Sequence, residues 1–172
     1  TVSYGYGMSV SLLHLAKAYA ILGNGGFDIE PTILKKNHNS QSGSRVLKKT
    51  TSDEMLKLLE AVVTDQRGTA RILRSKYYRI GGKTGTAEKI SLETRGYQKD
   101  KVFANFVGLF PLQEPRFVIA AFLDEPENNL LQEPCRYASC TVVPMVKKLI
   151  ERTGPLMNVT PDHQALMFYR GL

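Results

Sequence analysis

The sequence lacks long apolar runs, a leader segment and an initiator methionine. Its longest unbroken apolar run, Phe117 to Leu123, falls far short of the roughly 20 residues of a membrane-spanning helix. No positively charged, apolar secretory leader opens the chain, which begins at Thr1. We therefore expect a piece of a longer protein, because the first residues read as the middle of a chain.

Cysteine and histidine are both scarce. Cys135 and Cys140 fit neither paired zinc knuckles nor a redox Cys-x-x-Cys, so they are either a small disulfide ring or two free thiols. His14, His38 and His163 lie far apart in the sequence and near no acidic or cysteine cluster. These spacings argue against a metal site, and nothing in the sequence points to a cofactor.

The composition is that of one soluble globular domain with a basic surface. Of the 172 residues, 42% are hydrophobic and 23% are charged, and the formal net charge is +7. The basic residues are scattered, without an arginine-rich helix, zinc-finger spacing or RNA-binding aromatic motif, which disfavours nucleic acid as a partner. An acidic polymer or a membrane surface fits the charge equally well.

Apolar residues at helical spacing predict two helices in the first half of the chain. Ser9 or Ser11 is the expected N-cap of the first, and the stretch Gly23 to Gly26 ends it. Thr51 to Glu54 has the form of a capping box at the start of the second. A further short helix is expected within Arg67 to Leu73. The predicted buried faces are Met8, Leu12, Leu15, Ala16, Tyr19 and Leu22 in the first helix, and Met55, Leu58, Leu59, Val62 and Val63 in the second.

Three extended segments follow and predict an antiparallel sheet. The first contains Gly81 to Ala87, and a polar excursion from Ser91 to Lys101 separates it from the second, Phe103 to Phe110. A short turn leads to the third, Arg116 to Leu123, which favours antiparallel neighbours. Asp124-Glu125-Pro126 then ends the pairing, since proline has no N–H to donate. Asp124 and Glu125 are interpreted as a structural strand end, because adjacent strand residues point to opposite faces.

The C-terminal part predicts one more helix and a tail. Thr141 caps this helix, Pro144 lies in its first turn, and Gly154-Pro155 ends it. Its predicted apolar face is Val142, Val146, Leu149 and Ile150. The order helix, helix, three strands, helix defines an α+β fold with an antiparallel sheet covered by helices. We assign residues 1–161 to the domain and 162–172 to a loosely docked tail.

The stretch Gly81-Gly82-Lys83-Thr84-Gly85-Thr86-Ala87 has the character of a binding strand. Lys83 brings a cation, and Thr84 and Thr86 bring hydroxyls that share one face of a strand. A glycine inside a strand, here Gly85, often marks a ligand lying against bare backbone. The alternative is a basic edge strand without a ligand.

The ordered motifs resemble a known family. Tyr4-Gly5-Tyr6-Gly7, Gly68-Thr69-Ala70, Gly82-Lys83-Thr84-Gly85-Thr86-Ala87 and Asp124-Glu125-Pro126 occur in the order found in the C-terminal half of the transpeptidase domain of class B penicillin-binding proteins, with the division-specific type (penicillin-binding protein 3, FtsI-like) most similar. Lys-Thr-Gly is one part of the signature of serine penicillin-recognising enzymes. The other two parts, Ser-x-x-Lys and Ser-x-Asn, do not occur in these 172 residues.

The resemblance implies a penicillin-binding, β-lactamase-like transpeptidase fold and a serine acyl-enzyme reaction on peptidoglycan stem peptides, which β-lactams imitate. It implies catalytic roles for Lys83, Thr84, Gly85 and Thr86, and substrate contacts by Lys83, Thr84, Thr86 and Tyr97. The Thr86 N–H is implied to form part of an oxyanion hole. The nucleophile is absent from this chain, so the chain alone is expected to be inactive.

The resemblance also implies the setting. The expected partners are stem peptides, β-lactams, the missing N-terminal half of the domain and division proteins. Without that half a strand edge and an apolar face would be uncovered, and the alternative is that the chain self-associates through them. The expected location is the periplasmic side of the inner membrane. Two other functions remain open: a D,D-carboxypeptidase or serine β-lactamase half, and a non-catalytic penicillin-sensing or scaffold domain.

Overall fold

The computed structural model describes residues 8–35, 43–90, 96–127 and 134–162. Within these ranges, three helices and three strands follow one another in the predicted order. They are α1 (Leu12–Gly23), α2 (Lys49–Thr64), β1 (Gly81–Ile90), β2 (Tyr97–Phe110), β3 (Phe117–Asp124) and α3 (Val142–Leu156), with a 3-10 turn at Arg71–Leu73. The Tyr-Gly-Tyr-Gly segment, most of the predicted loop at 38–44 and residues 163–172 of the predicted tail lie outside the described residues.

The three strands form one antiparallel sheet in the order β1-β2-β3. β1 and β2 pair from Gly81 opposite Leu109 to Glu88 opposite Val102, and the register shifts before the last pairs, which end at Ile90 opposite Tyr97. The predicted polar excursion up to Lys101 is therefore wrong at its C-terminal end. β2 begins six residues earlier than predicted, because an edge hairpin accepts polar residues in its ladder while both partners supply backbone hydrogen bonds.

Helices cover both faces of this sheet, which confirms the predicted architecture. Alternate residues of β2 point to opposite sides, so Phe106 and Leu109 belong to different apolar clusters. The larger cluster joins the sheet to α3, and its buried members include Val63, Tyr78, Ile80, Ala104, Phe106, Phe110, Ala138, Val142, Val146 and Ile150. The smaller cluster contains Leu59, Leu109 and Leu112, with Tyr19 and Leu22 of α1 packed against it.

Helix α1 has the predicted ends but not the predicted burial. Ser11 is the N-cap, and its Oγ accepts a hydrogen bond from the His14 N–H. Asn24 is the C-cap, and its side chain exchanges two 2.9 Å hydrogen bonds with the backbone of Phe27. No residue of α1 is fully buried, and Met8, placed on its buried face by the spacing, is 67% exposed. The helix packs against β3, α2 and β2 with one side only.

Helix α2 begins before the motif that was predicted to cap it. Its first residue is Lys49 and its N-cap, Lys48, makes no side-chain cap, so the capping box at Thr51 to Glu54 is wrong. The Ser52 side chain is buried instead, and its hydroxyl donates to the Leu22 carbonyl of α1. The buried stripe is correspondingly rotated: Leu59 and Val63 are buried, whereas Leu58 is 62% exposed.

Helix α3 starts after Thr141 as predicted, but the Thr141 hydroxyl donates to the Tyr137 carbonyl instead of capping the helix. The helix then runs through Gly154-Pro155 to Leu156. Gly154 is a packing residue: a Cβ at this position would lie 2.7 Å from the Tyr78 Oη. The helix ends only where Asn158 adopts a positive φ of 51°. Of the predicted apolar face, Val142, Val146 and Ile150 are buried, but Leu149 is exposed and the buried Val143 was not predicted.

Two remaining features concern the chain after β3. Cys135 and Cys140 form a disulfide with a Cα–Cα distance of 6.2 Å, which decides between the two states that the spacing allowed. Asp162, the first residue of the predicted tail, donates its N–H to the Tyr77 carbonyl at 2.7 Å. None of the helices in the described ranges is long and apolar enough to cross a membrane.

Candidate active site

Two glycines fix the start of the candidate binding strand against the core. A Cβ on Gly81 would lie 2.8 Å from the Leu112 side chain, and one on Gly82 would lie 2.3 Å from the Phe106 ring. Both residues are buried, and the strand then emerges to partial exposure at Thr84 and Gly85. Within the sheet as described, β1 is an edge strand, which confirms the predicted edge position of the Lys-Thr-Gly segment.

The two threonine hydroxyls are each held by a partner from elsewhere in the chain. Thr84 Oγ1 lies 2.7 Å from Thr69 Oγ1, in the loop after α2. Thr86 Oγ1 accepts a hydrogen bond of 3.2 Å from the Ala138 N–H, in the turn before α3. The strand therefore lies between two loops, and both loops reach the same face of it.

These contacts determine where the hydroxyl protons can go. A hydroxyl has one proton and two lone pairs, so Thr86 Oγ1 still has its proton to donate while it accepts from Ala138. In the Thr69–Thr84 pair one hydroxyl donates to the other, which leaves one proton of the pair for a further acceptor. This face of β1 can thus present two hydroxyl donors, about 7 Å apart along the strand, to an anionic group.

Lys83 supplies the positive charge of the segment Lys83 to Thr86. It is exposed, and its Nζ donates to the Thr84 carbonyl at 2.6 Å. An ammonium group has three donors, so two remain for solvent or a ligand. The cation and the two hydroxyls lie within four consecutive residues, which suits recognition of a carboxylate.

The space in front of Gly85 is filled differently from the prediction. A Cβ on Gly85 would lie 2.7 Å from both side-chain amide atoms of Asn105, the residue paired with it on β2. The absence of a side chain at Gly85 therefore makes room for the Asn105 amide of this chain. Gly85 does not need a ligand to explain it. Sequence reasoning missed Asn105, and only the β1–β2 register could have indicated it.

Tyr97 lies apart from these residues. It is the first residue of β2 and pairs with Ile90, four positions beyond Thr86, or roughly 13 Å along the strand. Its side chain is about half exposed. The structure brings Lys83, Thr84, Gly85 and Thr86 together, but it places Tyr97 at the far end of the hairpin.

The strand-end carboxylates have a structural role, as predicted. Lys89 Nζ lies 2.5 Å from Asp124 and 2.7 Å from Glu125. Both carboxylates reach one ammonium because Glu125 has a positive φ of 48°, which turns the chain back instead of continuing the strand alternation. Hydrogen bonds to Asp124 and then to Glu125 raise the pKa of Lys89 above its ordinary value.

Two surface depressions adjoin the sheet. One, of about 460 Å³, lies beside the Thr69–Thr84 pair and is lined by Arg67, Gly68, Thr69, Arg71, Ile72 and Ser139. The larger, of about 830 Å³, lies between the end of β3 and α3 and includes no residue of β1. The smaller depression is the better candidate for binding an anionic ligand, because it is lined by Thr69, whose hydroxyl contacts Thr84, and by two arginines. No group of three His, Cys, Asp or Glu residues in the described part of the chain is arranged to hold a metal ion.

A Lys-Thr-Gly edge strand in an α+β fold is one part of the signature of the penicillin-recognising class of serine acyltransferase domains. The sequence model of the penicillin binding protein transpeptidase domain matches residues 1–150. The chain belongs to this family.

Curated relatives and solved structures agree with this assignment. The chain is 32% identical over 161 residues to a probable peptidoglycan D,D-transpeptidase PenA of Neisseria flavescens, covering 94% of this chain and 38% of the relative. It is 33% identical over 166 residues to a probable FtsI transpeptidase of Caulobacter vibrioides, with 92% and 28% covered. The transpeptidase domain of Burkholderia pseudomallei penicillin-binding protein 3 superimposes with a TM-score of 0.82 at 38% identity, over 94% of this chain and 47% of that one.

These matches confirm the predicted family and fold. They also show that the chain spans less than half the length of each of these relatives. The residues described here are thus part of a transpeptidase domain, and the rest of the comparison domain has no counterpart among them.

Proposed function

We propose that this chain is the carboxylate-binding wall of a peptidoglycan D,D-transpeptidase that works through a serine acyl-enzyme. The observation that carries the proposal is the segment from Lys83 to Thr86: the two threonine hydroxyls share one face, each held by a separate loop, and Lys83, on the other face, donates from its Nζ to the Thr84 carbonyl. Relatives similar to this chain are named as peptidoglycan D,D-transpeptidases. Lys83, Thr84, Gly85 and Thr86 are the proposed site residues.

The proposed reaction is acyl transfer from a stem peptide ending in D-Ala-D-Ala. A serine attacks the penultimate carbonyl, the terminal D-Ala leaves, and an amine of a neighbouring peptide takes the acyl group. The serine and its lysine would come from the half of the domain that precedes this one in the family. Alone, this chain therefore binds but does not react.

Lys83, Thr84 and Thr86 each have a distinct part in the proposed reaction. Lys83 places positive charge beside the terminal carboxylate, while the free protons of the Thr69–Thr84 pair and of Thr86 donate to its oxygens. The Thr86 N–H stabilises the oxyanion together with an N–H of the missing half. Tyr97 would contribute only if the hairpin end bent toward the substrate, so its proposed contact is peripheral.

β-Lactams are the second proposed class of ligand, because they carry a carboxylate beside a strained amide. A structure of Mycobacterium tuberculosis penicillin-binding protein 3, which is 26% identical and superimposes with a TM-score of 0.75, is complexed with aztreonam. By the same likeness we propose division proteins as partners and the periplasmic side of the inner membrane as the location of the whole protein.

Exposed apolar side chains near the start of α1 support a proposal for where the other half of the domain packs. Near the start of α1, Met8 is 67%, Val10 53% and Leu13 62% exposed. Such a patch on a soluble protein generally marks an interface. We propose that the N-terminal half of the domain covers it, and that the isolated chain self-associates when that half is missing.

The test is labelling with a fluorescent penicillin, on this chain and on the longest product of its gene. We expect label only on the longer product, at a serine preceding Thr1, and a loss of about 10- to 150-fold in labelling rate with Thr84→Val. Label on neither product would refute the acyl-enzyme and favour a scaffold. Release of free D-Ala or of hydrolysed penicillin without cross-linking would instead indicate a carboxypeptidase or a β-lactamase.

A further inference from the structure

A disulfide encloses the turn that holds one hydroxyl of the candidate site. Cys135 and Cys140 are linked across five positions of sequence. Between them, the Ala138 N–H donates to Thr86 Oγ1 at 3.2 Å, and Ala138 itself is only 1% exposed. This backbone donor on Thr86 thus comes from inside the disulfide ring.

The other bonds of this turn tie down its C-terminal side. The N–H groups of Cys140 and Thr141 donate to the Tyr137 carbonyl at 3.1 and 3.2 Å, and the Thr141 hydroxyl reaches the same carbonyl at 2.8 Å. The Val143 N–H donates to the Ala138 carbonyl at 2.9 Å, which fastens the turn to α3. On its N-terminal side Cys135 takes part in an isolated β-bridge, and the side-chain contacts are the disulfide at Cys135 and an exposed ion pair between Arg136 and Glu127.

We infer that the Cys135–Cys140 disulfide is a positioning element of the candidate site, an inference that rests on the proposed function. It restricts the turn so that the Ala138 N–H occupies one lone pair of Thr86 Oγ1. The Thr86 proton is then directed away from Ala138 and toward a bound carboxylate. Without the cross-link the turn samples more conformations, and the Thr86 proton is free to turn toward other acceptors.

The first test is the rate of acylation by penicillin, measured on the longest product of the gene. Reduction with dithiothreitol gives two thiols and the cyclic oxidised reagent, and we expect the second-order rate constant to fall about three- to ten-fold. Cys135→Ser with Cys140→Ser should show the same fall. This double variant is also the control for the reagent, because dithiothreitol should not change its rate.

A second test asks whether the disulfide acts on the acylation rate through Thr86 or only by stabilising the fold. Thr86→Val removes the hydroxyl while keeping the β-branched shape, so it removes the group through which the disulfide is inferred to act. In that background the two serine substitutions should change the rate less than two-fold. A further three- to ten-fold loss there would show that the disulfide acts elsewhere, and would overturn the inference.

Hydrogen exchange of the Ala138 amide tests the geometry without any chemistry. We expect the amide to exchange at least ten-fold faster after reduction, whereas equal exchange in both redox states would overturn the inference. If the oxidised protein is not acylated at all, the proposed function fails. The exchange measurement still decides whether the disulfide holds Ala138 on Thr86.

Discussion

The contact between Thr69 and Thr84 leads to a graded prediction for three valine variants. Thr69→Val removes the hydroxyl that lies 2.7 Å from Thr84 Oγ1 and keeps the side-chain shape. A hydrogen bond between neutral groups contributes about 0.5–1.5 kcal/mol, or roughly 2- to 13-fold in rate. Because both residues are at least partly exposed, water can replace the lost partner, and we expect a fall of about 2- to 5-fold in the rate of acylation by penicillin.

Thr84→Val should cost more, because the proposed function gives Thr84 a hydrogen bond to a charged carboxylate. Such bonds contribute about 1.5–3 kcal/mol, or roughly 10- to 150-fold. The double variant should be no slower than Thr84→Val, since Thr69 acts only through Thr84. Thr153→Val is the matched control: its hydroxyl donates to the Leu149 carbonyl at 2.8 Å in α3, and its loss should leave the rate unchanged.

The assay is stopped-flow or gel-based labelling with a fluorescent penicillin over a range of concentrations. It separates the binding constant from the acylation step. A Thr69→Val enzyme as slow as Thr84→Val would place the Thr69 hydroxyl on the ligand itself. Additive losses in the double variant would also refute the reasoning, because independent contacts add and a relay does not.

Three predictions concern stability and are checked by urea or thermal unfolding. Glu60→Gln breaks the ion pair with Arg79, whose two contacts of 2.7 and 2.8 Å are mostly shielded from solvent, and should lower the free energy of unfolding by about 1–3 kcal/mol. Asp53→Asn is the control: it breaks the exposed pair with Lys49 on α2 and should lower it by less than about 0.5 kcal/mol. Gly154→Ala should destabilise by about 1–2 kcal/mol, because overpacking against the buried Tyr78 ring outweighs the better helix propensity of alanine; a stabilised variant would contradict this packing. Burial raises the pKa of Tyr78, so on raising the pH the Tyr78 hydroxyl loses its proton first in the unfolded chain. The free energy of unfolding should therefore fall as the pH rises above about 10. Tyr78→Phe should make that fall less steep, and an equally steep fall would exclude Tyr78 as its cause.

The binding strand could be predicted from sequence because its signal is local. Lys83, Thr84, Gly85 and Thr86 are consecutive, and strand alternation alone places the two hydroxyls on one face. The antiparallel pairing of the second and third strands followed from the short connection between them. The residue types and the alternation of side chains along a strand indicate this segment without any knowledge of contacts distant in the sequence.

The partners of that strand could not be predicted in the same way. Thr69 is 15 positions from Thr84, and Ala138 is 52 positions from Thr86. Ala138 acts through its backbone N–H, so its side chain carries no signal for the contact. Thr69 belongs to a motif that the resemblance noted, but its bond to Thr84 depends on how α2 and β1 pack.

The wrong helix boundaries have the same origin. Thr51 to Glu54 satisfies the local rule for a capping box, yet the helix starts earlier and Ser52 is a buried donor to the Leu22 carbonyl. Gly154-Pro155 satisfies the local rule for a helix end, but the glycine is required where the Tyr78 ring lies against α3. In both places a residue with strong local preference is used for packing.

Gly154, Gly82 and Ala138 together explain why this sheet can present a rigid wall. Gly154 lets α3 approach Tyr78, two residues before Ile80 enters the core, and Gly82 lets β1 lie on the Phe106 ring. α3 in turn fastens the turn that places the Ala138 N–H on Thr86. Gly82 shares a face of β1 with Thr84 and Thr86. Close packing at the buried start of this face therefore fixes the hydroxyls at its open end, and a Cβ added at Gly154 should reach the site through α3. Gly154→Ala is accordingly expected to slow acylation through the position of Thr86, and its loss of rate should shrink below two-fold in a Thr86→Val background.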